Sequence, residues 1–210
     1  MFFSFLIPIH IKISKKAFDL SGIKLSKLQK AFFLFANGIY TDVFGVSSDW
    51  HFDSLKNFEE IIAYWNKLET KISQKKTNIF KLGNILHIVH DFYAHSNYVE
   101  LYVEYCKKTN KINEIQEIIP FPISLSNKEF LNNYLKPKLF TGEFNLKDFL
   151  MGKDMIKTHK KKLTHHNDIA KDSLKMGKNI SNISININTF ELAFDAATKH
   201  SILILNKFNQ

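Results

Sequence analysis

The chain holds a single cysteine, Cys106, so no internal disulfide can form and a disulfide scaffold is excluded. Glycine (7) and proline (4) are scarce in 210 residues, and a sandwich or barrel of many short strands needs more turn residues than that. No run approaches the ~20 apolar residues that a membrane-spanning helix requires. The opening "MFFSFLIPI" is apolar, but it has neither the basic start nor the small-residue cleavage site of a secretory signal. It is expected to be a first helix or strand docked on the core. These absences leave two locations open, the cytoplasm or export by a non-classical route.

What is present favours helices. Hydrophobic residues make up 45% of the chain, which is ample for a core, and the length suits one domain spanning residues 1–210. The expected fold class is all-α. "IKISKKAFDLSG" reads as an amphipathic helix stopped by Gly22. In "SKLQKAFFLFANGIY" the core face is expected to carry Leu28, Phe32, Phe35 and Ile39. The next helix is expected to be capped by Asp53 or Ser54 and to turn Leu55, Phe58, Ile62, Trp65 and Leu68 inward. "TNIFKLGNILHIVHDFYAHSNYVELYVEYCKK" is the longest periodic run and the expected central helix, capped at Thr77 or Asn78. Residues 107–148 hold Pro120, Pro122 and Pro137 and read as an excursion with at most short helices. A basic helix is expected over 145–177, a polar loop at "SNISININ", and a closing helix capped by Asn188 or Thr189.

The formal net charge is +9, a balance that suits phosphate esters, acidic lipid surfaces or nucleic acid. The chemistry concentrates in "GNILHIVHDFYAHSN", residues 83–97. A helix turns about 100° per residue, so positions four apart drift by only about 40°. His87, Asp91 and His95 therefore share one stripe, set among Leu86, Val89, Phe92 and Tyr93. Buried without partners, such a stripe is costly, and a divalent metal removes the cost because imidazole and carboxylate are zinc ligands. The alternatives are a solvated stripe or histidines hydrogen-bonded within the core.

Elsewhere the same residue types recur. "NGIYTDVFGVSSDWHFDS" carries Asp42, Asp49, His51 and Asp53 between two helices, with His51 flanked by Trp50 and Phe52. His10 follows a wholly apolar stretch, and "THKKKLTHHNDIAKDS" offers His159, His165, His166, Asp168 and Asp172.

Four stretches, in this order, resemble the zinc-dependent phospholipases C of bacteria and the helical zinc nucleases of fungi that share their fold. They are "HIKISKKAF", "ANGIYTDVFGVSSDWHFDS", "LGNILHIVHDFYAHSNYVEL" and "HHNDIAKDS". The Ala-His-Ser-Asn ending of the third is most similar to the heterokaryon-incompatibility C branch. The resemblance implies a helical domain with two or three zinc ions. It implies one ion held by Asp42, His51, His87 and Asp91, with Asp91 bridging to a second that His10 also binds. His95 would belong to a third, for which His159, His165 or His166 stand in, His166 being the one assigned, because the family's later His-x3-Glu pair is missing. Glu100 could serve only if the helix breaks near Ser96. The secreted phospholipases use their N-terminal amine as a ligand, whereas His10 lies nine residues into this chain. Zinc polarises a phosphoryl oxygen and lowers the pKa of bound water from 15.7 to about 7, and Asp42 is implied as the base for the attacking water.

The function so implied is a phospholipase C-like phosphodiesterase acting on a phospholipid or other phosphodiester, with peripheral contact to an anionic membrane and no stable nucleic-acid complex. The alternatives are a zinc nuclease of the same fold and a non-enzymatic, metal-stabilised protein of the toxin or incompatibility type.

Overall fold

Helix α1 (Ile7–Ser21) buries His10, Ile13, Ser14, Ala17 and Phe18 at spacings of three, one, three and one, and ends where Gly22 takes φ +69°. The computed structural model describes residues 7–44, 50–73, 78–142, 169–182 and 185–209. His159, His165, His166 and Asp168, the first six residues and the body of the expected basic helix lie outside the described residues.

Ser26 and Gln29 form a reciprocal capping box that starts helix α2 (Lys27–Phe35). The chain then widens into a π turn (Ala36–Tyr40) and runs on as α3 (Thr41–Phe44). The expected inward face is here reversed. Leu28, Phe32, Phe35 and Ile39 are exposed, and Phe33, Ala36 and Asn37 face the core. The reason is close backbone approach to the next long helix. A Cβ placed on Gly83 would stand 2.7 Å from Phe33 O and 2.9 Å from Ala36 Cβ, so only this thin side of the turn can dock.

Helix α4 (Phe58–Ser73) buries Phe58, Ile61, Trp65, Leu68 and Ile72, while Leu55 and Ile62 are half-buried. Its start is satisfied by Asn57, whose Oδ1 accepts from Glu60 N at 2.9 Å, and not by Asp53 or Ser54. Helix α5 (Ile79–His95) opens on Asn78, whose side chain accepts from Lys81 N at 2.9 Å. Between Leu82 and His95 every residue but Asn84 is buried, which makes α5 the central helix.

The expected single long helix is in fact two. Ser96 turns to extended backbone (φ −103°, ψ 165°) and bridges to Thr141, and helix α6 (Tyr98–Lys108) begins afresh. Asn97 donates to Lys138 O at 2.8 Å and accepts from Phe140 N at 3.0 Å. No glycine or proline makes this break; distant backbone does. Residues 112–138 form short turns of helix, as the prolines suggest. The end of this excursion ties two elements together, since Gly142 N donates to His95 O and Thr141 N donates to Leu55 O.

The loop expected at 181–188 is strand at its described residues. Strands β1 (Asn179–Asn182) and β2 (Ile185–Asn188) pair antiparallel with Ile180 opposite Ile187. Asn188 then starts helix α7 (Thr189–Phe208) through a capping box with Glu191. Helices α1, α2 and α7 pack against α5, and α4 packs against α7. Phe52, Trp65, Phe92 and Phe121 fill the interior, with Phe52–Phe92 and Trp65–Phe121 ring centroids at 4.9 and 5.9 Å. The described residues are mostly helical, and no helix among them is long and apolar enough to cross a membrane.

Candidate metal centre

Five of the side chains singled out above meet at one point. His10 comes from α1, Asp42 from α3, His51 from the loop before α4, and His87 and Asp91 from successive turns of α5. Asp91 is wholly buried and its two oxygens serve opposite sides. Oδ2 lies 2.9 Å from His51 Nδ1 and 3.1 Å from His87 Nε2, and Oδ1 faces His10 Nε2 at 3.4 Å. Asp42 Oδ1 is 3.5 Å from His87 Nε2. The His10 and His87 rings stack at 4.0 Å. Two sets have donor atoms close enough to share an ion, His10–Asp42–His87 and His51–His87–Asp91, with His87 common to both.

The local backbone explains how the rings reach this point. Asn37 sits at the start of the π turn, where its side chain donates to Gly83 O and its carbonyl accepts from His87 Nδ1 at 2.6 Å. The turn that brings Asn37 to α5 also carries Asp42 inward. In the next loop Phe52 and Ser54 take positive φ (55° and 66°), a conformation uncommon outside glycine, and this turns His51 and Asp53 to the same side.

The hydrogen bonds fix the ring tautomers. His87 Nδ1 carries a proton, because its partner is a carbonyl. Its Nε2 can then meet two carboxylates only through a second proton or a shared cation. On the other side, Ser201 Oγ donates to Ala197 O at 2.8 Å, so its oxygen accepts from His90 Nε2 at 3.0 Å. Burial first, then the neighbouring His87, pushes His90 down to about 3 and holds it neutral, so its Nδ1 accepts from His10 Nδ1 at 3.0 Å. His10, held well below the usual imidazole range by burial and by His87, directs its Nε2 lone pair at Asp91. A ligating imidazole whose other nitrogen is pinned by a hydrogen bond is the common arrangement at metal sites.

Burial alone would raise the Asp91 carboxyl. The charges of His87 and His95 and the hydrogen bonds from His51 and His87 outweigh it and hold the group well below the usual carboxylate range. Its Oδ1 is nonetheless buried without a hydrogen-bond donor among the described residues. A carboxylate oxygen so placed, opposite an imidazole lone pair, fits a divalent cation.

His95 is not brought into either set. Its Nδ1 faces His51 O at 3.2 Å and Asp53 Oδ1 at 3.5 Å, and its Nε2 faces Asp172 Oδ1 at 3.2 Å. Burial opposes a charge on this ring, but Asp53, Asp91 and Asp172 push it up to about 10. With acceptors at both nitrogens the ring holds two protons, and acting as a ligand would require the loss of one. The break at Ser96 does occur, yet Glu100 turns to Lys171, 3.2 Å away. Lys171 is buried and donates to Ser96 O and Ile169 O, placing a cation at the carbonyl end of α5.

Spacing alone did not single out His90, Ser201 or the Asn37 carbonyl. His90 lies about 60° round from His87 on the side away from Asp91, off the stripe. The other two lie on distant elements and no local pattern marks them. Comparison with known protein families, curated proteins and solved structures gives no match.

Proposed function

We propose that the chain is a metal-dependent phosphodiester hydrolase of the phospholipase C kind, with zinc at the centre built by His10, Asp42, His51, His87 and Asp91. The observation that carries this reading is Asp91, a wholly buried carboxylate with imidazoles on both sides and one oxygen that receives no hydrogen bond among the described residues. Zinc held there supplies Lewis-acid polarisation of a phosphoryl oxygen and a nucleophilic water at neutral pH. Asp91 would serve the centre with Oδ2, which lies beside His51 and His87, while its Oδ1 faces His10. His90 and Ser201 hold His10 in the tautomer that leaves Nε2 directed inward, and Asn37 does the same for His87. Asp42 would take the proton of the attacking water and return it to the leaving alkoxide as the phosphorus–oxygen bond to the alcohol breaks. His51 has the only side chain of the five with appreciable exposure, 13%, so substrate enters on its side.

A nuclease would use the same centre, and the clustered rings of Tyr40, Phe44 and Trp50, which flank Asp42 and His51 in sequence, offer stacking surfaces for bases. The test is a side-by-side assay of zinc-loaded protein on phosphatidylcholine, single-stranded DNA and a soluble chromogenic phosphodiester. Asp91→Asn and His87→Ala should lose both zinc and turnover. Zinc bound at full occupancy with no turnover on any of the three substrates would leave a structural metal and end the hydrolase reading.

A further inference from the structure

The face that the sequence pattern assigned to the core carries most of the exposed large hydrophobic residues among the described residues. Leu28 (67% exposed), Phe32 (50%), Phe35 (42%), Ile39 (39%) and Val43 (49%) follow one another at intervals of four, three, four and four, and Phe44 (63%) closes the row. Six of the eleven exposed large hydrophobic residues therefore lie on one stretch of α2, the π turn and α3. Such intervals keep the side chains on one side of a helix. Tyr40, Trp50 and Phe80 border its far end, with Tyr40 4.9 Å from Phe80 and 6.3 Å from Trp50 between ring centroids. Contiguous exposed apolar surface of this kind marks a binding face.

Charge decides what the face meets. Between Gly22 and Phe44 the charged residues are Lys24, Lys27, Lys30 and Asp42. The three lysines are exposed, while the Asp42 side chain is buried against His87. The surface of this stretch is thus apolar and purely cationic, and the whole chain carries +9. That net charge works against pairing two copies and favours an anionic surface. The row is aliphatic and phenylalanine side chains with no base interleaved along it, which suits acyl chains better than a nucleic-acid backbone. Tyr and Trp at its end are the residues that favour the headgroup level. The pattern is that of a helix lying in the plane of a bilayer interface, apolar side down and lysines toward anionic headgroups.

We infer that the Leu28–Phe44 face docks the protein on anionic phospholipid membranes. The last two residues of the row, Val43 and Phe44, directly follow Asp42, and Trp50 directly precedes His51, so docking sets the exposed side of the metal centre at the headgroups. That consequence rests on the phosphodiesterase reading; the docking itself does not.

The test is sedimentation of the zinc-loaded full chain with vesicles of phosphatidylcholine alone or mixed with phosphatidylserine, across a salt series. Binding should require phosphatidylserine and weaken with salt. Leu28→Ser/Phe32→Ser should weaken it by about tenfold, the effect of removing two exposed apolar anchors that dip partway into the interface. Lys27→Glu/Lys30→Glu should weaken it by at least about tenfold, at about 1 kcal/mol for each lysine lost at the surface and more for each reversed. All four positions are exposed, and unchanged circular dichroism and unfolding midpoints check that the variants fold. Wild-type protein that ignores anionic vesicles, or variants that bind as wild type does, would overturn the inference. So would a wild-type dimer that Leu28→Ser/Phe32→Ser converts to monomers with no change at vesicles, or retention of single-stranded DNA in place of vesicles. Vesicle binding without hydrolysis would sink the phosphodiesterase reading and leave the docking face standing.

Discussion

Removing one hydroxyl group on α7 should loosen a metal that it never touches. Ser201 Oγ is the acceptor that fixes His90 Nε2–H, and through His90 the proton on His10 Nδ1. In Ser201→Ala the buried His90 N–H loses its partner, at a cost of about 1–3 kcal/mol to the fold. His90 is then able to carry its proton on Nδ1 instead, which turns the His10 proton toward Asp91 and removes a lone pair from the centre. Loss of such an outer partner typically lowers metal affinity by about 10–100-fold, or about 1.4–2.8 kcal/mol. The two costs separate experimentally. Urea unfolding of the metal-free protein reads the first, and competition of zinc against a chromogenic chelator reads the second. Thr198→Ala is the control. Thr198 lies on the same helix, is equally buried and donates to Phe194 O at 2.8 Å, but it touches no ring of the centre. It should lower stability without moving zinc affinity. If Ser201→Ala binds zinc as tightly as wild type, the tautomer relay from α7 to His10 is wrong.

Three further outcomes follow from the same geometry. Gly83→Ala should destabilise the protein by about 1–3 kcal/mol, because the new methyl meets Phe33 O at 2.7 Å, and by shifting the π turn it should weaken zinc binding as well; thermal unfolding with and without zinc reads both. His200, buried beside Tyr93 and Trp65, is pushed down to about 3 by burial. The unfolded chain takes up a proton below about pH 6.5 that the folded chain refuses, so this contribution is intact above pH 6.5 and lost as the pH falls. It amounts to about 2 kcal/mol at pH 5, 1.5 pH units at about 1.4 kcal/mol each, and urea titrations of His200→Gln against wild type at pH 7 and 5 should show the variant losing that much less. Asp172→Asn should lower the affinity of His95 for its second proton, since Asp172 is one of three carboxylates that hold it up, and the imidazole resonances of His95 should titrate at lower pH in that variant.

The centre was legible in part because its densest portion is local. His87 and Asp91 lie one turn apart on α5, and a 3.6-residue period is enough to align them. His10 and His51 could be joined to that stripe only through the resemblance in order and spacing, since their approach depends on how α1 and the loop before α4 pack. The stripe of Leu28, Phe32, Phe35 and Ile39 was equally legible as a face, but periodicity does not say which side of a helix packs. Backbone contact at Gly83 decided it, through small atoms that carry little hydrophobic signal. The break after His95 has no glycine or proline to announce it; Thr141, Lys138 and Phe140 impose it from across the chain. The pairing of β1 with β2 was hidden by their asparagines and serines, while the cross-strand pair of Ile180 and Ile187 lay in plain view. Asp53 looked like a helix cap and instead faces His95, because Asn57 stands nearer the first turn of α4.

Zinc content is the most direct measure of the centre. Elemental analysis of wild-type protein and Asp91→Asn, both purified without chelator and dialysed against trace zinc, should give about two zinc ions per wild-type chain and less than about half an ion in the variant. Wild-type protein that retains no zinc, or an Asp91→Asn variant that retains as much as wild type, would contradict a metal centre built around this carboxylate.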